Sequence, residues 1–320
     1  MLKHRLRVFF ITWGTFIIFC LMILVFSLAI PGFPTWMNAE NIIKQTAVFL
    51  LIAFGVLLSM IVGEIDLSYG GTIGIAGAFF AKIATDKGSP LLGMAVAVAI
   101  TIGFGALNGL LIARFRLPSF LVSLALMFVG MGGERLYTHG LNIWVKDLSL
   151  LKIFNGKIAG IPHSAILIIG VFSPLWFVLT QTKLGLHFRA VGENVDAARE
   201  AGINVAMVKF IAFTLAGLLY GIGTIFDVLR VSGSLYRSGQ ALLLPAMTAC
   251  FIGATMFMVS KKNVVGTLVG AFFLTLVMNG LTILGAKYYF VPFTQGLILI
   301  AAIIIANSGR KGIKIQQIKF

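Results

Sequence analysis

The sequence predicts an all-α polytopic membrane protein of about ten spanning helices, and three observations carry that prediction. Of its 320 residues, 59% are hydrophobic and 11% charged, with a mean hydropathy of +1.03; a soluble domain averages roughly 45–50% apolar and about 25% charged. That apolar content fills about nine or ten spans of ~20 residues. No hydrophilic stretch approaches the roughly 100 residues of an ordinary soluble domain, so residues 1–320 read as a single transmembrane domain. The net charge of +15 is divided into short basic groups between apolar runs, a pattern of membrane topology and not of nucleic-acid binding.

The first run, Val8 to Ile30, follows Lys3, Arg5 and Arg7. It is too long for a signal-peptide core and lacks a small-residue cleavage pattern, so it reads as an uncleaved helix. Lys44 to Val62 is the second. Gly70 to Thr85 is the third, and it is short for a span; Gly70, Gly71, Gly74 and Gly77 lower its helical tendency, so it is expected to be broken or to cross only in part. Next come Leu91 to Ala113, Pro118 to Thr138, His163 to Thr180 and Val208 to Arg230. The eighth, Gln240 to Val259, contains Pro245, which removes a backbone donor and should kink or break it. Broken helices at membrane depth often line a cavity. Val264 to Leu284 and Pro292 to Ala306 complete the set.

With an even number of spans, one side collects Lys3 to Arg7, Arg114 and Arg116, Lys183, Arg189, Arg199 and Lys209, Lys261 and Lys262, and Arg310 to Lys319. The positive-inside rule makes that side the cytoplasm and places both termini there, in a cell (inner) membrane.

Chemistry within the spans is sparse. Cys20 and Cys250 lie in separate apolar runs, which disfavours a disulfide or thiolate metal site. No phosphate-binding Gly-x4-Gly-Lys-Ser/Thr loop, zinc-binding His-Glu-x2-His or nucleophile elbow occurs. The chain is therefore expected to bind no cofactor and to be no enzyme, and any phosphate chemistry that drives it would occur on a partner. Glu64, Asp66 and Ser68 sit at a break between two apolar runs. Ionisable groups there are candidates for a transport pathway, while Asp66 or Ser68 capping the following glycine-rich helix is the competing structural role. Asp227 and Arg230, three residues apart, read as an ion pair on one helix face. Gly217 with Gly221, and Gly266 with Gly270, permit close helix approach in lipid.

Two connections are longer than turns require. His139 to Pro162, carrying Trp144, Lys146, Asp147, Lys152 and Lys157, either docks an external partner or packs on its own helices. The other, residues 185–205 within Gln181 to Val205, is more informative. Asn194 can cap a helix over Val195 to Ala201 whose first turn holds Asp196, and Gly202 supplies the stop. Such a helix is about 10 Å long at 1.5 Å per residue and too short to be stable alone. Val195, Ala198 and Ala201 or Gly202 share a small apolar face, suited either to a shallow groove on another protein or to the membrane surface.

This segment resembles the cytoplasmic loop of the ribose/xylose/arabinose-type permeases of bacterial ABC importers, in the branched-chain amino acid/monosaccharide permease superfamily. The shared elements are Arg189-Ala-Val-Gly-Glu-Asn194, Ala197-Ala198 and Ala201-Gly-Ile-Asn-Val205. Further agreement appears in Ile65-Asp66-Leu67-Ser68 before Gly70, Asn108-Gly109, Tyr137-Thr138 with Gly140, Arg230-Val231-Ser232 and Asn279-Gly280-Leu281, so the resemblance spans most of the chain. It implies a permease similar in architecture to the vitamin B12 importer, moving a monosaccharide by alternating access. It also implies a cytoplasmic ABC ATPase, a second permease subunit and a periplasmic or extracellular solute-binding protein as partners. The residues implied to couple to the ATPase are Glu193, Asn194, Asp196, Ala198, Arg199 and Gly202. Three departures stand out: Glu64 replaces a usual glycine, Leu243-Leu244-Pro245 replaces Glu-Leu-Asp, and Gly253-Ala254-Thr255-Met256 runs into Ser260-Lys261-Lys262-Asn263. A branched-chain amino acid permease is the nearest alternative, and an ATPase-independent secondary transporter a more distant one.

Overall fold

A computed structural model describes residues 2–146, 148–256, 262–287 and 289–317. Asp147, Ser260, Lys261, Lys319 and residues 257–259 of the eighth apolar run lie outside the described residues. The described residues are mostly helical, with a few two-residue strands. In order, α1 is Leu2–Ala29, α2 Trp36–Ile61, α3 Tyr69–Asp86, α4 Pro90–Phe115 and α5 Ser119–Thr138. After β1 (Ile143–Trp144), α6 (Leu148–Asn155), β2 (Lys157–Ile158) and β3 (Ile161–Pro162) come α7 (His163–Gln181), α8 (Lys183–Glu193) and α9 (Val195–Glu200). The remainder is α10 (Val205–Val231), β4 (Gly233–Ser234), α11 (Ser238–Ala254), α12 (Val264–Ile283) and α13 (Phe290–Gln317).

Among the described residues, α2, α4, α5, α7, α10 and α12 are long and apolar enough to cross a membrane. Shorter apolar helical stretches run over Trp13–Ala29, Ser238–Ala254 and Phe290–Ile305. This is a polytopic helical membrane protein. Helix α2 begins eight residues before the predicted Lys44, because the charges that ended the apolar run satisfy each other: Glu40 and Lys44 pair at 2.9 Å one turn apart.

The chain divides into two compact units. One is Ala47–Leu243, and the other joins the segments on either side of it. In the Ala47–Leu243 unit, α3 is central, packed by α4, α5 and α10, and α10 lies along α4. Of the two expectations for the third run, the break does not occur: α3 is continuous over 18 residues, 13 of them buried, while among the described residues it is not one of the helices long and apolar enough to cross a membrane. Its glycines are where neighbouring backbones touch it. A Cβ on Gly71 would meet the Met127 carbonyl of α5, and one on Gly74 the Glu134 carboxylate. Close packing outweighs the loss of propensity, which is about 1 kcal/mol per glycine.

The connection from His139 packs on its own helices. β1 pairs antiparallel with β4, Ile143 opposite Ser234, β2 and β3 form a small hairpin, and Phe154 of α6 is buried against Phe226 of α10, ring centroids 5.6 Å apart. Trp144 and Ile158 remain exposed.

In the other unit, α12 lies against α11: Gly266 backs onto the Gly253 carbonyl and Gly270 onto that of Ala249. Phe19 of α1 meets Phe273 at 6.2 Å, and Asn279 donates to Asn38 at 2.9 Å in a buried pair. Pro245 sits inside α11, which continues through it to Ala254, so the expected break does not occur there.

Candidate functional site

The 181–205 connection holds one helix more than the sequence reading placed in it. In α8, Phe188 and Val191 are buried, and Arg189 Nη1 donates to the Leu179 carbonyl at 2.6 Å, folding α8 back on the end of α7. The signal was present: Leu184, Phe188 and Val191 recur at helical spacing. It was hidden because charges and glycines interrupt the apolar pattern.

After α8 the chain turns at Asn194, extended at φ −156°. Asn194 Oδ1 accepts from the Asp196 and Ala197 amides at 3.0 and 3.1 Å, the cap read from the sequence. α9 then covers Val195–Glu200. It ends at Gly202, φ +79°, with the Gly202 amide donating to Arg199 and the Ile203 amide to Ala198, both at 3.0 Å. Asp196 and Arg199 pair on the exposed side at 3.2 Å, and Glu193 and Glu200 are exposed. Ala198, expected on an outward face, is buried in the chain itself at 4% exposure. The surface that α9 presents is thus charged and rigidly terminated. Asn194→Ala should weaken the start of α9 by about 1 kcal/mol, read as faster amide exchange at Asp196 and Ala197 with an unchanged melting temperature.

Next to this segment lies the connection 62–68, which leaves α2 through Gly63 at φ +86°. The Gly63 amide donates to Met60 and the Glu64 amide to Ser59, at 3.3 and 3.0 Å. The Glu64 carboxylate accepts from Lys209 Nζ in the first turns of α10; both side chains are mostly buried. Ile65 accepts from Ser123 and donates to Ser119, tying the connection to α5.

Asp66 is 1% exposed and is the hub of the cluster. Its Oδ1 accepts from the Ser68 amide at 2.9 Å, Ser68 Oγ at 2.7 Å and Asn108 Nδ2 of α4 at 3.0 Å. Its Oδ2 accepts from Tyr220 of α10 at 3.1 Å. Tyr220 in turn packs on Tyr69, centroids 5.2 Å apart, and Tyr69 donates to the Leu243 carbonyl at 2.6 Å. Burial pushes the Asp66 carboxyl above the usual carboxylate range, opposed by the hydrogen bonds of Ser68, Tyr220 and Asn108. Of the two capping candidates Ser68 makes no side-chain cap bond, whereas Asp66 accepts the Ser68 amide at the head of α3 and with the same carboxylate also binds two other helices.

The elements enclose a cleft of about 520 Å³, with Glu64, Arg116, Ser119, Arg199, Asn204 and Lys209 in its wall. Of the residues singled out in the sequence, Glu64 and Arg199 meet here, Asp66 and Ser68 form the adjoining network, and Pro245 belongs to the other unit. Asp227 and Arg230 pair at 2.8 Å within α10, as expected. No group of three or more His, Cys, Asp or Glu able to hold a metal occurs among the described residues. The arrangement joins a short charged surface helix to the ends of α2, α3, α4 and α10.

Known proteins match nearly the whole chain. A family model described as the permease component of branched-chain amino acid transport systems matches residues 38–306. The ribose import permease protein of Escherichia coli K12 is 32% identical over 290 residues, 89% of this chain and 90% of the relative. That of Bacillus subtilis 168 is 30% identical over 294 residues, covering 91% of each. The D-allose transport system permease protein of Escherichia coli K12 is 27% identical, covering 91% of this chain and 90% of the relative. No solved structure matches. The chain belongs to the family of branched-chain amino acid transport system permease components, whose relatives here include the ribose import permeases.

Proposed function

We propose that this chain is the membrane permease subunit of an ATP-binding cassette importer that carries a ribose-type monosaccharide by alternating access. The observation that carries the reading is similarity to ribose import permeases along about nine-tenths of both chains. The capped, glycine-terminated helix α9 supports it as the part that meets the motor. In this reading the chain is one transmembrane domain of about ten spans, similar in architecture to the vitamin B12 importer, with both termini cytoplasmic. It pairs with a second permease, a cytoplasmic ATPase that binds ATP and Mg, and an external solute-binding protein. Glu193, Asn194, Asp196, Ala198, Arg199 and Gly202 form the coupling segment. Ala198 acts inside it by anchoring α9, while Asp196, Arg199 and Glu200 face the ATPase.

ATP-dependent ribose uptake by the co-purified permease, ATPase and binding protein in proteoliposomes tests the function. Uptake of leucine in place of ribose would move the assignment to an amino acid permease. Concentration of ribose by this chain with no ATPase present would overturn it. Gly202→Pro and Arg199→Glu should leave membrane insertion intact and lower uptake per ATP hydrolysed by about tenfold, within the 5–150-fold range of ordinary coupling energies. Proline cannot adopt φ +79° and removes the amide that closes α9; glutamate at 199 faces Asp196 with like charge. Normal coupling in both would sink the docking role of α9.

A further inference from the structure

The coupling segment has to act on the spans, and the structure contains a place where it touches the end of α2 backbone to backbone. Gly192, in the last turn of α8, lies directly on the carbonyl of Ile61, the final residue of α2; a Cβ there would overlap that oxygen. From the other side, a Cβ built on Gly63 would stand 3.5 Å from Gly192 Cα. No flexible side chain separates the two elements, so a displacement of one is not absorbed by rotamer changes before it reaches the other. One residue on, Glu64 is held by Lys209, 145 positions away in sequence, in a mostly buried ion pair. Two residues further, Asp66 ties the same connection to Asn108 of α4 and Tyr220 of α10.

We infer that the 62–68 connection is the receiver of the coupling segment's movement, with Gly192, Glu64 and Lys209 as positioning residues that hold it against α8 and α10. The inference rests on the proposed partnership with an ATPase. A push on α8–α9 enters at Gly192 and is passed to the α2–α3 junction. It then reaches α4 and α10 through Asp66, so the spans move together and not one at a time. The ion pair keeps the receiver seated: with either charge reversed, two like charges would share one partly buried site, and the connection would be driven off α10.

The test is a charge-exchange cycle on the complete transporter in proteoliposomes, read as solute taken up per ATP hydrolysed and accompanied by melting temperatures. Glu64→Lys and Lys209→Glu should each lower the ratio by about tenfold, and the double exchange should bring it back to within about threefold of the unmodified transporter. A residue that only stabilises the fold would change the amount of assembled transporter and leave this ratio alone. Should the reversals fail to assemble, Glu64→Gln with a near-native melting temperature carries the test and should also lower the ratio. An unchanged ratio in the assembled variants, or a double exchange no better than the single ones, overturns the inference. If the unmodified complex shows no ATP-driven uptake, the functional reading fails instead; if it couples normally and the variants do too, only the receiver is lost.

Discussion

Asp66→Ala should leave little folded protein in the membrane, whereas Asp66→Asn should fold almost normally. The alanine removes the acceptor of the Ser68 amide, Asn108 Nδ2 and the Tyr220 hydroxyl in a site 1% exposed. Each donor stranded in a dry interior costs about 1–3 kcal/mol, so a total of about 3–9 kcal/mol falls on a fold whose margin is of order 5–15 kcal/mol. The loss is also spread over three helices, because Ser68 leads into α3, Asn108 sits in α4 and Tyr220 in α10. Asparagine keeps one oxygen for Ser68 and Asn108, and its amide can donate to the Tyr220 oxygen once that hydroxyl turns away. Fluorescence-detected size exclusion and a melting curve in detergent separate the two variants. An alanine protein that elutes and melts like the unmodified one would remove Asp66 from its place as hub. With a folded Asn variant in hand, its transport rate asks whether the charge itself serves a pathway.

What could be read from the sequence follows from distance along the chain. The Asn194 cap, the Gly202 stop and the Asp227–Arg230 pair involve residues two to five positions apart, and each is present. Their chemistry is local, and residue type at a fixed spacing is enough to state it. Glu64 and Asp66 were singled out by charge alone, but their partners were invisible: Lys209, Asn108 and Tyr220 lie 145, 42 and 154 residues away. One sequence contains no signal for which distant residues meet. The continuity of the third helix is hidden from the sequence for a related reason. Glycine lowers helix propensity wherever it stands, and only the presence of α5 against Gly71 and Gly74 shows why this helix needs them. Helix α8 has helical spacing in Leu184, Phe188 and Val191, but charges and glycines interrupt it, and the two-residue strands are too short for any periodicity to register.

Gly217→Val should abolish the fold while Gly103→Val, on the facing helix α4, should be tolerated. A Cβ on Gly217 would press on the Thr101 carbonyl and stand 3.1 Å from Ile102 Cα. Reciprocally, one on Gly105 would stand 3.1 Å from Gly217 Cα. All of these are backbone atoms, which cannot rotate aside, so the valine must push α10 bodily away from α4. Overpacking of a side-chain interface costs about 1–3 kcal/mol. Here the displacement also separates Asn108 from Tyr220, the two residues that reach Asp66 from opposite helices, and the cost of the broken hub is added to that of the clash. At Gly103 a Cβ meets nothing within 4 Å. A β-branched residue there lengthens the apolar surface without touching a neighbour, and its small propensity effect in a helix is in its favour relative to glycine. Equal yields of monodisperse protein from the two variants would mean that α4 and α10 do not meet through bare backbone, and with that the tie between the receiver and both helices would lose its geometry.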